Sequence, residues 1–224
     1  KEYRRQRQMC IRDRMRVGEP MYVFYGYVED GYDENGHIVY KNMDDDPAIT
    51  AADKTIIGDP NPDFLVNLTT AVSYKGFTLS AFFQSSIGND IYSLSMAAQA
   101  YDYGYNGNTL REVYYNHWTP ENPTAKYPNL DQTSYKMSDR FVYDGSFVRL
   151  KNLELAYDVP CARSKFIKRA RAYVSAQNLF TITSYPFWDP DINANGGGSS
   201  MIQGVDSYCY PSARTYTIGC RLTF

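Results

Sequence analysis

The sequence predicts an all-β protein whose antiparallel strands form part of a transmembrane β-barrel wall. Three observations carry that reading. In the stretch Arg214 to Phe224, the residues Tyr216, Ile218, Cys220, Leu222 and Phe224 alternate with Thr215, Thr217, Gly219, Arg221 and Thr223. A period of two is the mark of a half-buried strand, and the run matches the roughly 9–11 residues of a tilted membrane strand. Tyrosine is abundant, with 22 Tyr beside 11 Phe and 2 Trp. Such residues suit pleated surfaces and the aromatic girdles of barrels. Third, short and long connections alternate along the chain, as they do between the two rims of a barrel.

The composition bounds the rest. A net charge of −2 gives no basis for nucleic-acid binding. No run of about 18 apolar residues is present, which excludes a helical span and says nothing against strands. The four cysteines, Cys10, Cys161, Cys209 and Cys220, form no C-x-x-C, and only His37 and His117 could join them at a metal. Free thiols are expected rather than a zinc site. Neither histidine has a nucleophile nearby in sequence, and no catalytic constellation is found, so the expectation is a protein that is not an enzyme.

Residues 1–14 carry six Lys or Arg, whereas the rest of the chain is acidic overall. They lack the apolar core of a signal peptide and read as a non-native scar rather than a basic arm. Residues 15–224 are then the native portion, with the true N-terminus expected upstream. Residues 17–40 break short aromatic runs with Asp30-Gly31 and Asn35-Gly36, a strand-and-turn pattern.

Residues 42–53 resemble a calcium loop. Asn42, Asp44 and Asp46 occupy alternate positions and Asp53 falls at the twelfth, so oxygen donors are spaced for a hard cation. Pro47 stands where such a loop turns on Gly, and Asp53 is shorter than the usual Glu. Bound Ca2+ and a solvated acidic loop both remain open, the departures favouring the second.

Pro60 and Pro62 stiffen the connector that follows. Strands are expected over 64–74 and 77–86, joined by Lys75-Gly76, a strong hairpin signal. Residues 87–145 form a long excursion with one or two helical turns. A strand over 147–159 shifts its apolar parity between Leu150 and Leu153, which predicts a bulge. Basic residues 163–168 lead into a strand over 170–181, a second long loop covers 182–212, and the last strand spans 213–224. These five strands alternate in direction. The turns 75–76 and 160–168 fall on one rim and the loops 87–145 and 182–212 on the other. A sixth strand is expected near 17–28.

Several stretches also resemble one family. They are Ile57 to Phe64, Ser73 to Ser80, Asp144 to Asn152, Ala176 to Phe180, Asp189-Pro190-Asp191, Tyr210 to Arg214 and the terminal Phe224. In this order they resemble the C-terminal portion of the SusC/RagA-type TonB-linked outer-membrane proteins of Bacteroidota, across about residues 17–224. The resemblance implies a 22-stranded barrel with a plugged lumen, of which this chain supplies five or six strands. It implies uptake of an oligosaccharide or peptide, a SusD-like surface lipoprotein over the long-loop rim, and energy from TonB-ExbB-ExbD acting on a plug outside this chain.

On that reading, Tyr216, Ile218, Leu222 and Phe224 face outer-membrane lipid. Tyr101, Tyr103, Tyr105, Trp118 and Trp188 lie on the outer loops, available to cargo or partner. Asp189 and Asp191 are expected to hydrogen-bond within their loop. The rival is a soluble secreted β-sandwich that binds glycans through the same loop aromatics.

Overall fold

The computed structural model describes residues 18–101, 108–132, 135–161, 166–192 and 203–224. In chain order the elements are β1 (Phe24–Gly26), β2 (Glu29–Tyr32), β3 (Ile38–Tyr40), β4 (Thr55–Gly58), β5 (Phe64–Tyr74), β6 (Phe77–Ile87), β7 (Asp90–Ser93), α1 (Leu94–Tyr101), α2 (Arg111–Tyr115), β8 (Val142–Asp144), β9 (Phe147–Val159), β10 (Arg169–Thr183), β11 (Val205–Asp206) and β12 (Thr215–Thr223). No helix among the described residues is long and apolar enough to cross a membrane. Residues 1–14 lie outside the described residues.

The chain divides into two compact units. One comprises Pro62–Gly88, Gly145–Asp191 and Tyr210–Phe224. It holds a single antiparallel sheet in the order β12-β10-β9-β6-β5. All five expected strands are present near their predicted bounds. Lys75 and Gly76 take positive φ of 47° and 87°, the geometry that matches a two-residue hairpin to the right-handed twist of its strands. Eleven residues at about 3.3 Å each, tilted by about 45°, rise about 26 Å, close to the apolar band of a membrane barrel.

The bulge foreseen from parity is there, and it runs across three strands. The row Phe82–Asn152–Gln177 is followed by the row Phe83–Leu150–Phe180. The step between these rows takes one residue in β6, two in β9 and three in β10. Asn178 absorbs part of the step with φ of 51°, a conformation Asn tolerates better than most residues.

The other unit comprises Lys1–Asn61, Asn89–Asp144 and Ile192–Cys209. Its described part pairs β1 with β4 and β2 with β3, and sets β11, β7 and β8 into a small mixed sheet. Phe24, Ile91, Tyr92, Val113 and Phe141 are fully buried, and Tyr92 packs between Phe24 at 5.8 Å and Phe141 at 6.0 Å. Ser93 starts α1 by accepting the Met96 N–H at 3.2 Å, a helix-capping bond. The partly buried Glu29 carboxylate is met by Arg140 and by the Ser138 hydroxyl at 2.9 Å. The sixth strand expected near 17–28 needs correction. The strand found there, β1, is three residues long and pairs with β4 rather than extending the five-stranded sheet, because Gly26 and the turn residues around it interrupt the alternation.

Candidate functional site

Cross-strand register sorts the large sheet into two faces. On one lie Tyr216, Ile218, Cys220 and Leu222, opposite Ala176, Val174, Ala172 and Ala170 of β10. The same face continues through Leu153, Leu155, Tyr157 and Val159 of β9 and Leu79, Phe77, Val72 and Tyr74 of the hairpin. These side chains are exposed: Ile218 at 85%, Phe224 at 71%, Tyr216 at 67% and Leu222 at 46%. The opposite face carries Asn67, Thr78, Gln84, Asn152, Glu154, Arg171, Thr217 and Arg221. There Arg171 lies 3.4 Å from Glu154 and 3.5 Å from Asp158. A soluble sandwich buries its apolar face under a second sheet. Here the five strands form one sheet with that face exposed, so the sandwich reading is not upheld.

The stepped bulge decides where Arg149 points. Continuing the alternation of Leu153, Leu155 and Tyr157 without a step would place Arg149 on the apolar face. The register instead sets Val148 and Leu150 on that face and pairs Arg149 with Gln84 and Thr181 on the polar one. Arg149 is 1% exposed. Its Nε donates to Thr181 Oγ1 at 2.9 Å, one Nη to Ser212 Oγ at 3.2 Å and the other to Asp189 Oδ1. Asp191 lies 3.4 Å away, and the guanidinium sits 5.2 Å over the Phe147 ring.

Asp189 also accepts the backbone N–H groups of Ser212 at 2.8 Å and Asp191 at 2.9 Å. Burial pushes its pKa up, but these two N–H groups and Arg149 outweigh burial and hold it below the ordinary carboxylate value. One buried cation thus ties two strand ends to the segments 189–191 and 212. The sequence marked these stretches as separate family-like motifs. Their convergence was not read, although an Arg turned by a bulge and an Asp-Pro-Asp turn are its visible traces.

The proposed loop aromatics fare differently. Trp188 is 63% exposed beside the buried Asp189. Trp118 is half-buried and packs on the β2–β3 turn, where a Cβ on Gly36 would stand 2.3 Å from its ring. Tyr101 ends α1; its side chain, like Tyr103 and Tyr105, lies outside the described residues.

In the acidic loop, Asn42 Oδ1 accepts from Asp44 N at 3.0 Å, Asp44 Oδ1 from Asp46 N at 2.9 Å, and Asp46 Oδ1 from Ala48 N at 3.0 Å. Asp53 is buried and accepts from Met43 N and Thr50 N, both at 2.7 Å, which lower its pKa. The described residues contain no group of three or more His, Cys, Asp or Glu arranged to hold a metal. Cys161, Cys209 and Cys220 are free thiols, as expected.

Sequence reasoning missed a cleft of about 510 Å3 in the smaller-stranded unit, lined by His37, Tyr40, Asp131, Gln132, Tyr135 and Lys136. His37 Nε2 is 2.9 Å from Asp131. The Lys136 ammonium lies 4.8 Å over the Tyr27 ring and 5.6 Å over that of Tyr40. Burial pushes the Tyr40 pKa up to about 12. The residues arrive from segments almost a hundred positions apart, and no local pattern announces them.

A sheet apolar on one exposed face and polar on the other is the wall of a membrane barrel. No protein-family model matches the chain. It is 33% identical to TonB-dependent receptor P3 of Formosa agariphila over 98% of its own length and 23% of that protein. It is 29% identical to the TonB-dependent receptor SusC of Bacteroides thetaiotaomicron over 93% of its length and 20% of that protein. Among solved structures, the RagAB peptide transporter superposes with a TM-score of 0.80 at 24% identity, over 98% of this chain and 24% of that one. The last comparison speaks for the fold alone. The chain belongs to the SusC/RagA-type TonB-dependent receptors, and it spans about a quarter of the length of the relatives it matches.

Proposed function

We propose that the protein containing this chain is an outer-membrane importer of oligosaccharides or peptides, and that this chain supplies part of its barrel wall and long-loop rim. The observation that carries the reading is the two-faced sheet, whose polarity is kept in phase across five strands and through the bulge. In the complete protein the polar face lines the lumen and the apolar face meets outer-membrane lipid, where every strand edge must be paired. The loops tied down by Arg149 belong to the outer rim, where a SusD-like lipoprotein would cap the pore. TonB-ExbB-ExbD would act through a plug outside this chain. The names of the relatives support import as the activity, and one solved neighbour is a peptide importer. The residues of this chain guide passage and transform no bond.

The test uses the full-length receptor in cells. Cysteines replacing Ile218 or Thr217, in a background with every native cysteine replaced by Ala, are challenged with a water-soluble maleimide after gentle permeabilisation. Thr217→Cys should react and Ile218→Cys should not, until detergent is added. Equal labelling of both would sink the barrel-wall reading. Deleting the gene should abolish growth on the oligosaccharide or peptide source that induces it; unchanged growth on every such source would remove the import assignment.

A further inference from the structure

We infer that the short-turn rim of the five-stranded sheet binds the phosphate of an anionic glycerophospholipid, with Lys75 as the charged ligand on a platform of Tyr74, Phe77 and Tyr157. The inference rests on the membrane-wall reading above and adds a specific lipid site to it.

The platform is a continuous row. Tyr74 pairs directly with Phe77, and Phe77 directly with Tyr157, all on the apolar face. The Phe77 and Tyr157 rings lie 4.5 Å apart, and Tyr74 and Phe77 are 68% and 50% exposed. Such a row at a strand end has the character of an interfacial girdle, where an aromatic ring meets acyl chain on one side and headgroup on the other.

Lys75 is held where that row ends. Its turn has two positive φ angles, and Asp158 N donates to Gly76 O at 2.9 Å. A Cβ on Gly76 would lie 3.2 Å from the Tyr157 ring and 3.3 Å from Asp158 O. The turn is therefore pressed onto the neighbouring strand, which fixes the root of the lysine. The ammonium sits 5.2 Å from the Tyr74 ring centre, above the same aromatic row, and makes no ion pair among the described residues.

An ammonium poised over exposed aromatics at the end of an apolar strand matches one occupant. It matches a lipid whose acyl chain runs down the apolar face and whose phosphate carries net negative charge. Among the described residues, Lys168 and Arg169 follow Asp158 with no acidic residue between. Lys168 is already engaged with Phe224 O at 3.1 Å, which leaves Lys75 as the described cation over the row.

The experiment uses the full-length receptor, stripped of lipid in mild detergent and offered phosphatidylglycerol or phosphatidylcholine at equal concentration. Bound lipid is counted by native mass spectrometry. Phosphatidylglycerol should be retained in preference. Lys75→Gln should cut its retention about fivefold, the effect of about one surface cation, and Lys75→Arg should restore it. Equal retention of the two lipids, or retention indifferent to Lys75→Gln, overturns the site. In a second arm, Phe77→Trp with and without Lys75→Gln is placed in vesicles containing brominated lipid. Quenching in both supports the platform lying in lipid, so that a failed retention experiment then counts against the phosphate site alone. Absence of quenching overturns the membrane-wall reading and this site with it.

Discussion

The two units are stabilised in different ways. In the unit that contains β7, β8 and the helices, Phe24, Tyr92 and Phe141 are sealed inside, and the charged pair Glu29–Arg140 is held at partial burial with its hydrogen bonds met. In the five-stranded unit most large apolar residues lie outside, Tyr210 and Ile218 most of all, with Phe147, Leu150 and Tyr185 as buried exceptions, and its most buried large side chain is an arginine. The first is ordered by water, which drives apolar surface inward. On the proposed barrel-wall reading the second is complete only in an apolar solvent, with charged and polar groups such as Glu154, Arg171 and Arg221 on the other face. A chain can therefore carry two opposite sorting rules within 224 residues, and hydropathy averaged over its length blurs both.

The largest effect that sharpens this contrast is expected from Arg149→Ala. It strands the buried Asp189 carboxylate, and removing one partner of a buried pair costs about 3–5 kcal/mol. Loss of heat-resistant mobility in the full-length receptor would report it, and Arg149→Leu combined with Asp189→Leu should recover most of it. Phe24→Ala should cost about 3–5 kcal/mol as a core cavity, read from denaturant midpoints, and should do so equally in detergent and in lipid. Ile218→Arg should cost about 2–4 kcal/mol near mid-bilayer, a loss felt only in lipid, whereas Thr217→Arg one residue away should be nearly silent. If the two substitutions behave alike, the contrast between units fails.

The smallest effect is one of pH. Asp189 has a lowered pKa in the folded state. Its contribution is therefore present in full above the ordinary carboxylate value of 3.8 and fades as pH falls through the lower folded value. Stability measured downward from pH 5 should decline more steeply in the native protein than in Asp189→Asn. Identical slopes would mean that the carboxylate does not titrate as part of the latch.

Much of the sheet was legible because alternation is a local property. Each of the five strands could be bounded from Val, Leu, Tyr and Thr at every second place, and the shift at Leu150 and Leu153 announced the bulge. The strand near 17–28 was misplaced because three residues of alternation, Phe24 to Gly26, carry no information about which sheet receives them. The Arg149 cluster was half legible: Asp189 and Asp191 were seen as loop residues, but nothing local says that an arginine forty positions earlier completes them. Trp118 illustrates the same gap. Its residue type suggested contact with a ligand, and its position over Gly36 depends on a hairpin eighty residues upstream.

The graded step through β6, β9 and β10 has a consequence for how this stretch can change over generations. Substitutions there are judged one side chain at a time. Strict alternation carried through Lys151 without the step would instead exchange the two faces for everything between it and Phe147, and present Arg149 to hydrocarbon. The stretch is open to spelling changes and closed to shifts of phase, so its length should vary less among descendants than its letters do.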